Sequence, residues 1–380
     1  MLLTDFHILR PPHEMAQADT LHWLADAHAE SERRKGNPDP AFADQIREKL
    51  WHVGCKPDRI AKRGHILSDY LHRDWEKMEV YRLSEAGSGR DLSVRSKHFE
   101  EHADLIFEQY YPENSIPPED LIHVTCTGYI SPSGAQKIAS KRNWGNKATI
   151  THAYHMGCYA SIPAIRMAGG FLSYSSEKVR IDIVHTEMCS LHTDPSNHGL
   201  GQLVSQSLFA DGFIKYSARR TTSGPHLKVL ATLEEIIPNS TKAMTWNVSH
   251  WGFEISLAKE IPVLIVRALP HFLECLVKKA GADAGADFDD VLSRAYFAVH
   301  PGGPKILTHV QELLKLRDEQ IAKSFEILKN YGNMSSATLP HIWQAILADP
   351  AIPSGTRVVS FAFGPGLSVT GAIMEKICGS

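Results

Sequence analysis

An α/β fold is predicted by two strand-turn-helix units in the first half of the chain and by three Gly/Pro-marked turns set between apolar segments in the second. The clearest unit spans residues 150–170. Ile150, His152, Tyr154 and Met156 alternate as a buried strand does, and Cys158 sits in the sharp turn after Gly157. Ile162, Ile165, Met167 and Ala168 then suit a packed helix whose first turn tolerates Pro163, because the amide there has no helical partner. The second unit is the core strand Leu121–Cys126, the turn Thr127–Gly134 and a helix from near Ala135. A turn at the end of such a strand faces a ligand.

Taken in order, residues 13–110 read as a helix-rich cap. Met15–Ser31 and Ala41–Val53 have helical apolar spacing and are joined by the polar turn Arg33–Pro40. Lys56, Arg59, Lys62 and Arg63 fall at helical intervals, which predicts a face able to hold phosphates or, more simply, a solvated basic face. Between Val179 and His192 the apolar Val179, Ile181 and Ile183 share a strand face that His185, Glu187 and Cys189 continue. Alternating positions along one strand splay apart, so no metal site is expected there. Gln202–Phe209 is a predicted helix, followed by strands at Phe213–Tyr216 and Lys228–Thr232. In the second half come Trp246–Gly252, the helix Ile261–Ala280 and the flexible stretch Ala280–Asp287. Then follow a strand ending at His300 before Pro301-Gly302-Gly303-Pro304 and a helix, the polar turn Tyr331–Ala337 carrying Asn333, and Phe363–Gly366 between two apolar strands within Val358–Thr370. The last three turns are expected at one edge of a sheet.

At 380 residues, with 43% hydrophobic and 22% charged, the chain can bury a large core as two domains or one duplicated one. A net charge of −3 lacks the basic footprint of a nucleic-acid binder. The start has no basic-then-apolar succession, and the most apolar run, Ile261–Val277, is interrupted by Arg267, Pro270, His271 and Glu274, so neither a signal nor a membrane span is predicted and the cytoplasm is expected. Six cysteines, at 55, 126, 158, 189, 275 and 378, are scattered without CxxC pairs, which fits reduced thiols.

Near the positive end of a helix a cysteine favours the thiolate, and a free thiol of pKa about 8.5 can fall to roughly 3.5–7.5 there beside a cationic histidine. The alternative for Cys158 is a small buried thiol in a core turn. His300 and Asn333, each in a turn, could steady a thiolate and donate to a developing oxyanion. A papain-like protease is excluded by context: Cys158 is mid-chain, and Gly157-Cys158-Tyr159-Ala160-Ser161 lacks the motif of those enzymes.

Gly157-Cys158, Leu208–Gly212, His300–Pro304, Tyr331–Ala337 and Phe363–Leu367 occur in the order and spacing of type III polyketide synthases, the chalcone synthase-like enzymes, and the resemblance covers nearly the whole chain. It implies the thiolase fold, a duplicated αβαβα five-layer core with an N-terminal helical region, as halves 1–235 and 236–380 working as a homodimer. Carried over by motif, Cys158 resembles the acylated nucleophile, and His300 and Asn333 the pair that stabilises the thiolate, decarboxylates a malonyl thioester and holds the enolate oxygen. Phe209 resembles an aromatic gatekeeper, while Lys56, Arg59 and Lys62 resemble the site for coenzyme A phosphates. Ile255 stands where plant enzymes have a second aromatic gatekeeper, Trp246 where they have a small residue, and Ala362 where they have glycine; these departures are more like the bacterial members. Thr127, His192 and His155 are placed near the cavity. No bound cofactor or metal is implied; coenzyme A or phosphopantetheine thioesters, the latter on acyl carrier proteins, are substrates.

The function implied is an acyltransferase of the condensing type, forming C–C bonds by Claisen condensation through acyl-Cys158, with pyrone- or resorcinol-type ring closure on release. The sequence also resembles ketosynthases that join two carrier-bound β-ketoacyl chains into an α-pyrone. From another class, a non-catalytic acyl-binding or scaffold protein of the same fold stays open.

Overall fold

A computed structural model describes residues 1–36, 39–281 and 288–379. Most of the stretch expected to be flexible, residues 282–287, lies outside them. The elements of the N-terminal half are β1 (Leu2–Leu9), β2 (His13–Ala16), α1 (Gln17–Arg34), α2 (Phe42–Val53), β3 (Lys62–His65), α3 (Leu92–Tyr110), β4 (Asp120–Thr125), α4 (Gly134–Lys141), β5 (Thr149–Tyr154), α5 (Ser161–Tyr174), β6 (Arg180–Met188), α6 (Leu200–Leu208) and β7 (Asp211–Arg219). They continue as β8 (His226–Ile236), β9 (Met244–Val248), β10 (Phe253–Leu257), α7 (Ile261–Ala280), α8 (Phe288–Arg294), β11 (Tyr296–Val299), α9 (Pro304–Leu314), α10 (Asp318–Tyr331), α11 (Thr338–Ala348), β12 (Arg357–Gly364) and β13 (Ser368–Ile377).

Nine strands join in the order β11-β12-β13-β8-β1-β7-β6-β4-β5. From β4 the pairings run parallel to β6, antiparallel to β7, antiparallel to β1; from β11 they run parallel to β12, antiparallel to β13, antiparallel to β8. The second half thus repeats the first, and β1 meets β8 only at Leu2↔Lys228 and Leu3↔Leu227. Because β8 runs along β13 from His226 to Ile236, we draw the boundary between the halves just before β8, some residues earlier than the 235/236 division suggested by the sequence.

β4 is buried along its whole length, as are nearly all of β6, β12 and β13. Both faces of such strands must be covered by helices. One apolar core joins α5 and α11 to strands of both halves through Ile162, Ile165, Leu172, Leu339, Ile342 and Trp343. A second lies between the N-terminal strands and α1, α3 and α4; a third between the C-terminal strands and α7, α9 and α10. Helices outside, sheet, and helices inside form the layers that the resemblance implied. The N-terminal region is helix-rich, with α1, α2 and α3, but the helix expected from Met15 begins at Gln17, since Met15 lies in β2, which pairs with β3.

Seven of the described histidines are buried and set the response to acid, His65 among them, which burial lowers well below its ordinary value. His28, His123, His185, His192 and His300 are lowered to about 3 and His341 to about 4, because burial disfavours the imidazolium. In the unfolded chain histidine titrates near 6.5. From about pH 6.5 down to 4 the unfolded state therefore binds protons that the folded state refuses, so stability is complete above that window and is lost as pH falls through it. Denaturant titrations at a series of pH values are expected to give a constant folding free energy from pH 8 to 7 and a decline below about 6.5, near 1.4 kcal/mol per pH unit for each imidazole. A flat profile down to pH 5 would show that these imidazoles take up protons inside the folded chain.

Candidate active site

Cys158 lies in the turn between β5 and α5, with Gly157 at φ 80°. A side chain at Gly157 would bring its Cβ to 2.7 Å from Pro365 Cδ, so glycine both permits the left-handed turn and lets the β12–β13 turn pack against it. Asn333 follows Gly332, whose φ of 75° reverses the chain after α10. Its N–H donates to Leu208 O (2.9 Å) and its carbonyl accepts from Ala210 N (2.8 Å), clasping the backbone on either side of Phe209. Its Oδ1 accepts from Ser335 N at 2.9 Å, and Asn333 and Cys158 line the same cleft. His300 ends the extension of β11, its N–H bonded to Phe361 O at 2.8 Å. It is 1% exposed, and neither ring nitrogen has a hydrogen-bond partner. Cys158, His300 and Asn333, distant in sequence, line one cleft.

That cleft, of about 780 Å³, has an apolar wall from Val204, Leu257, Ile261 and Ile265 and cations at Lys56, Arg59 and Lys305. Behind it lies an inner cavity of about 50 Å³, bounded by Cys126, Thr127, Cys189, His192 and Trp246. Cys158, Phe209, Met244 and Ile255 line both spaces. Phe209 and Ile255 thus lie between the two spaces, and Met244, not singled out from the sequence, lies there with them.

The cationic face is not the helical one expected. Residues 57–59 form a turn and 62–65 a strand, so the intervals that put four cations on one side of a helix send them apart. Lys62 pairs with Glu14 (2.7 Å) in a separate cleft shared with Arg10 and Lys323. Arg63 points inward and is 2% exposed. Lys56 and Arg59 remain at the cleft, and Lys305, from the first turn of α9, joins them.

Arg63 is the residue whose position the sequence concealed most. Its guanidinium donates to Gln206 O (2.7 Å) and Phe209 O (2.6 Å), the carbonyls that α6 leaves unpaired at its C-terminus, and to Gln17 Oε1 (2.8 Å). Gln17 in turn donates to Cys55 O and Ser207 O. One buried cation therefore ties the loop at the cleft mouth to the segment that carries Phe209 and clasps Asn333.

The polar residues of the inner wall are engaged. His192 Nδ1 accepts from Phe253 N (3.0 Å), which leaves Nε2 to donate to Thr127 O (2.8 Å), and its ring stacks on Phe253. Thr127 Oγ1 donates to Glu187 Oε2 (3.1 Å) and accepts from Met188 N. Trp246 Nε1 donates to Cys126 O, and His155, with φ 60°, bonds Trp246 O. These side chains shape the wall and offer few free donors. Glu187 was unforeseen as part of this site. Its carboxylate accepts from Cys126 N (3.0 Å) and Ser336 Oγ, and Ser335 Oγ links Cys126 Sγ (2.9 Å) to Cys158 Sγ (3.7 Å). His185, on the same strand, is held by Ser336 and Tyr216.

Burial pushes the Cys158 thiol up to about 12; hydrogen bonds from Ser335 and Asn333 oppose the shift and the Glu187 charge adds to it. Burial also lowers His300 to about 3. The shift that burial gives Cys158 thus runs opposite to the one expected from the helix terminus. Cys158 lies three residues before α5 begins, and the loss of hydration outweighs the dipole at that distance.

Residues 228–378 match the family described as chalcone and stilbene synthases, C-terminal domain. The chain is 29% identical over 342 residues to a Dictyostelium discoideum protein called probable polyketide synthase 1, covering 85% of this chain and 10% of that much longer one. It is 26% identical over 359 residues to type III polyketide synthase A of Arabidopsis thaliana (90% and 86% covered) and 28% identical over 248 residues to 1,3,6,8-tetrahydroxynaphthalene synthase of Streptomyces coelicolor (65% and 64%). In fold it is similar to the crystal structures of the C-terminal type III polyketide synthase domain of Steely1, a Dictyostelium type I/III hybrid (TM-score 0.82, 20% identity), and of the Streptomyces synthase (0.77, 21%), each covering 99% of both chains. The fold is the thiolase fold of these structures.

With both ions disfavoured alone, proton transfer from Cys158 requires an acceptor in the same cleft. Alkylation of Cys158 by iodoacetamide at pH 7, followed by peptide mass spectrometry, is expected to slow about 10²-fold or more in His300→Ala, the scale of a general base. The variant's rate should climb with pH towards the alkaline range. Superimposable pH profiles for the two proteins would mean that His300 does not take the thiol proton.

Proposed function

We propose, on the premise that the chain belongs to the type III polyketide synthase family, that it condenses acyl thioesters through a covalent intermediate on Cys158. The observation that carries this reading is the convergence of Cys158, Asn333 and a buried His300 with two unpartnered ring nitrogens on the wall of one cleft. A side chain buried without partners is stable only at a cost, and a substrate carbonyl offers the missing acceptor.

In the proposed cycle an acyl thioester enters with its diphosphate near Lys56, Arg59 and Lys305. Cys158 gives its proton to His300 as Sγ bonds to the acyl carbon, the old C–S bond breaks, and the departing thiolate recovers the proton. A malonyl thioester then loses carbon dioxide, and its enolate oxygen is held by donors from His300 and Asn333. The enolate carbon attacks acyl-Cys158, forming the C–C bond and freeing the thiolate. Ring closure of the pyrone or resorcinol type releases the product. Coenzyme A and carrier-bound phosphopantetheine present the same thioester. No resident cofactor is needed for any of these steps.

A homodimer fits the open edge of β5, which among the described residues pairs only with β4 and carries neither Lys nor Pro to block further pairing. Among the described residues no helix is long and apolar enough to cross a membrane. We place the enzyme in the cytoplasm. The joining of two carrier-bound β-ketoacyl chains is supported by one feature, the outer cleft's volume of about 780 Å³ behind an apolar wall.

Two experiments decide between these readings. Trp246 bounds an inner cavity too small for more than a short acyl group, so Trp246→Gly is expected to shift donor preference, measured by competition between acyl chain lengths, towards longer chains. An unchanged preference would assign Trp246 to structure alone. Cys158→Ala is expected to abolish acylation on intact-protein mass spectrometry while keeping slow carbon dioxide release from malonyl-coenzyme A; Asn333→Ala should keep acylation and lose about 10²–10³-fold in decarboxylation. Wild-type protein that acylates yet releases no carbon dioxide would be a chain-joining enzyme, and protein that never acylates would be a binding scaffold.

A further inference from the structure

On the outer face of the C-terminal half, away from the cleft, three donors of different chemistry converge. Glu235 is near the end of β8; His271 and Cys275 are one turn apart on α7. One donor atom from each lies within 4.8 Å of the others, and Cys275 Sγ is 3.6 Å from His271 Nε2. Residues four apart on a helix share a face, and here that face is turned to the strand beneath. The approach is close because Gly371 of β13 has no side chain: a Cβ there would come within 2.8 Å of both Phe272 and Leu276. These two residues directly follow His271 and Cys275, so the packing that seats α7 on the sheet also fixes the two donors beside Glu235. Glu235 and Cys275 are half-buried and His271 is exposed. Among the described residues the Glu235 carboxylate has no hydrogen-bonded or ion-paired cation to balance it.

We propose that Glu235, His271 and Cys275 hold a divalent transition-metal ion of the zinc type. Sulfur and imidazole exclude magnesium and calcium, which prefer oxygen throughout. Tetrahedral zinc with bonds of about 2.0–2.3 Å sets its donors roughly 3.3–3.8 Å apart. Rotation of the exposed His271 side chain, with smaller adjustments of Glu235 and Cys275, closes the difference from the distances seen. Cys275 binds as the thiolate, releasing its proton to solvent, and the fourth position is open to water. The ion would clip α7 to β8. Because Ile261 and Ile265 at the start of α7 line the outer cleft, the clip braces one wall of that cleft from behind.

Cobalt(II) added to the purified full chain, kept reduced with a phosphine, reports thiolate ligation by a sulfur-to-cobalt charge-transfer band in the near ultraviolet. One equivalent is expected to bind with that band and with visible bands of tetrahedral intensity; zinc should displace it, and Cys275→Ser should abolish the charge-transfer band. In His271→Ala and Glu235→Gln the metal should be retained at least tenfold more weakly. Zinc at a hundredfold excess over its dissociation constant should raise the wild-type thermal midpoint by about 3–5 °C, and leave Cys275→Ser unmoved. The metal-free midpoints of the variants show that they fold. No charge-transfer band, or one that persists in Cys275→Ser, would overturn the site.

Discussion

The pair of backbone hydrogen bonds that clasps Asn333 between Leu208 and Ala210 is the constraint on which the rest of the site depends. It fixes two things at once: where the Asn333 amide meets Cys158, and where Phe209 stands between the two cavities. Neither element could hold this register alone, since α6 ends with unpaired carbonyls and α10 ends in a left-handed glycine. Arg63 supplies the missing donors from β3. Burying a guanidinium without a bonded carboxylate is costly, and its pKa is lowered to about 10 by that burial. It remains charged at neutral pH even so, and three hydrogen-bond acceptors, Gln17 Oε1 and the carbonyls of Gln206 and Phe209, would be left without it if it were truncated. Position in the cleft thus rests on a buried cation at the wall of the inner cavity.

Dryness has opposite effects on the two ends of the chemistry. It raises Cys158 and lowers His300, so a charge separation between them is unfavourable in the empty cleft. The same low dielectric strengthens each hydrogen bond to a developing oxyanion. A site of this kind holds its groups neutral and lets charge appear only when a thioester is present to receive it. The Glu187 carboxylate, three hydrogen bonds behind Cys158 by way of Cys126 and Ser335, pushes the Cys158 thiol further towards the neutral form.

Much of the fold was legible because its signals are local. Period-two alternation marked β5, the run of Leu121 to Thr125 marked β4, and helical spacing marked α5 and α7 to within a few residues. Glycine and proline marked the turns at Cys158, His300, Asn333 and Pro365. What was hidden depends on the other side of a contact. Lys56 and Lys62 have identical chemistry in the sequence; only the turn at residues 57–59 and the pairing of β3 with β2 separate them. Arg63 reads as a surface cation until α6 is seen to end beside it. His192 reads as a free imidazole until Phe253 and Thr127 are seen to occupy both nitrogens. The boundary between halves was shifted for the same reason, because the partner of β8 lies more than a hundred residues downstream.

The duplicated topology explains why the nucleophile and its partner arise where they do. Superposing the pairing orders sets β4 on β11, β6 on β12, β7 on β13 and β1 on β8, and so sets the buried helix α5 on α11. Cys158 occupies the turn before α5, and Asn333 the turn before α11; the turn after β4, with Cys126 and Thr127, corresponds to the turn after β11, with His300. The turns that precede two equivalent helix N-termini therefore line one cleft from opposite halves, each beside the positive end of a helix dipole. Each alone is too weak to overcome the burial of a thiolate. Together they bias the cavity towards negative charge wherever it forms, on sulfur in one step and on an enolate oxygen in the next. The two halves have the same backbone plan, and chemistry enters through the side chains that differ: sulfur in one turn, a carboxamide in its counterpart, and an imidazole where the first half has a cysteine and a threonine.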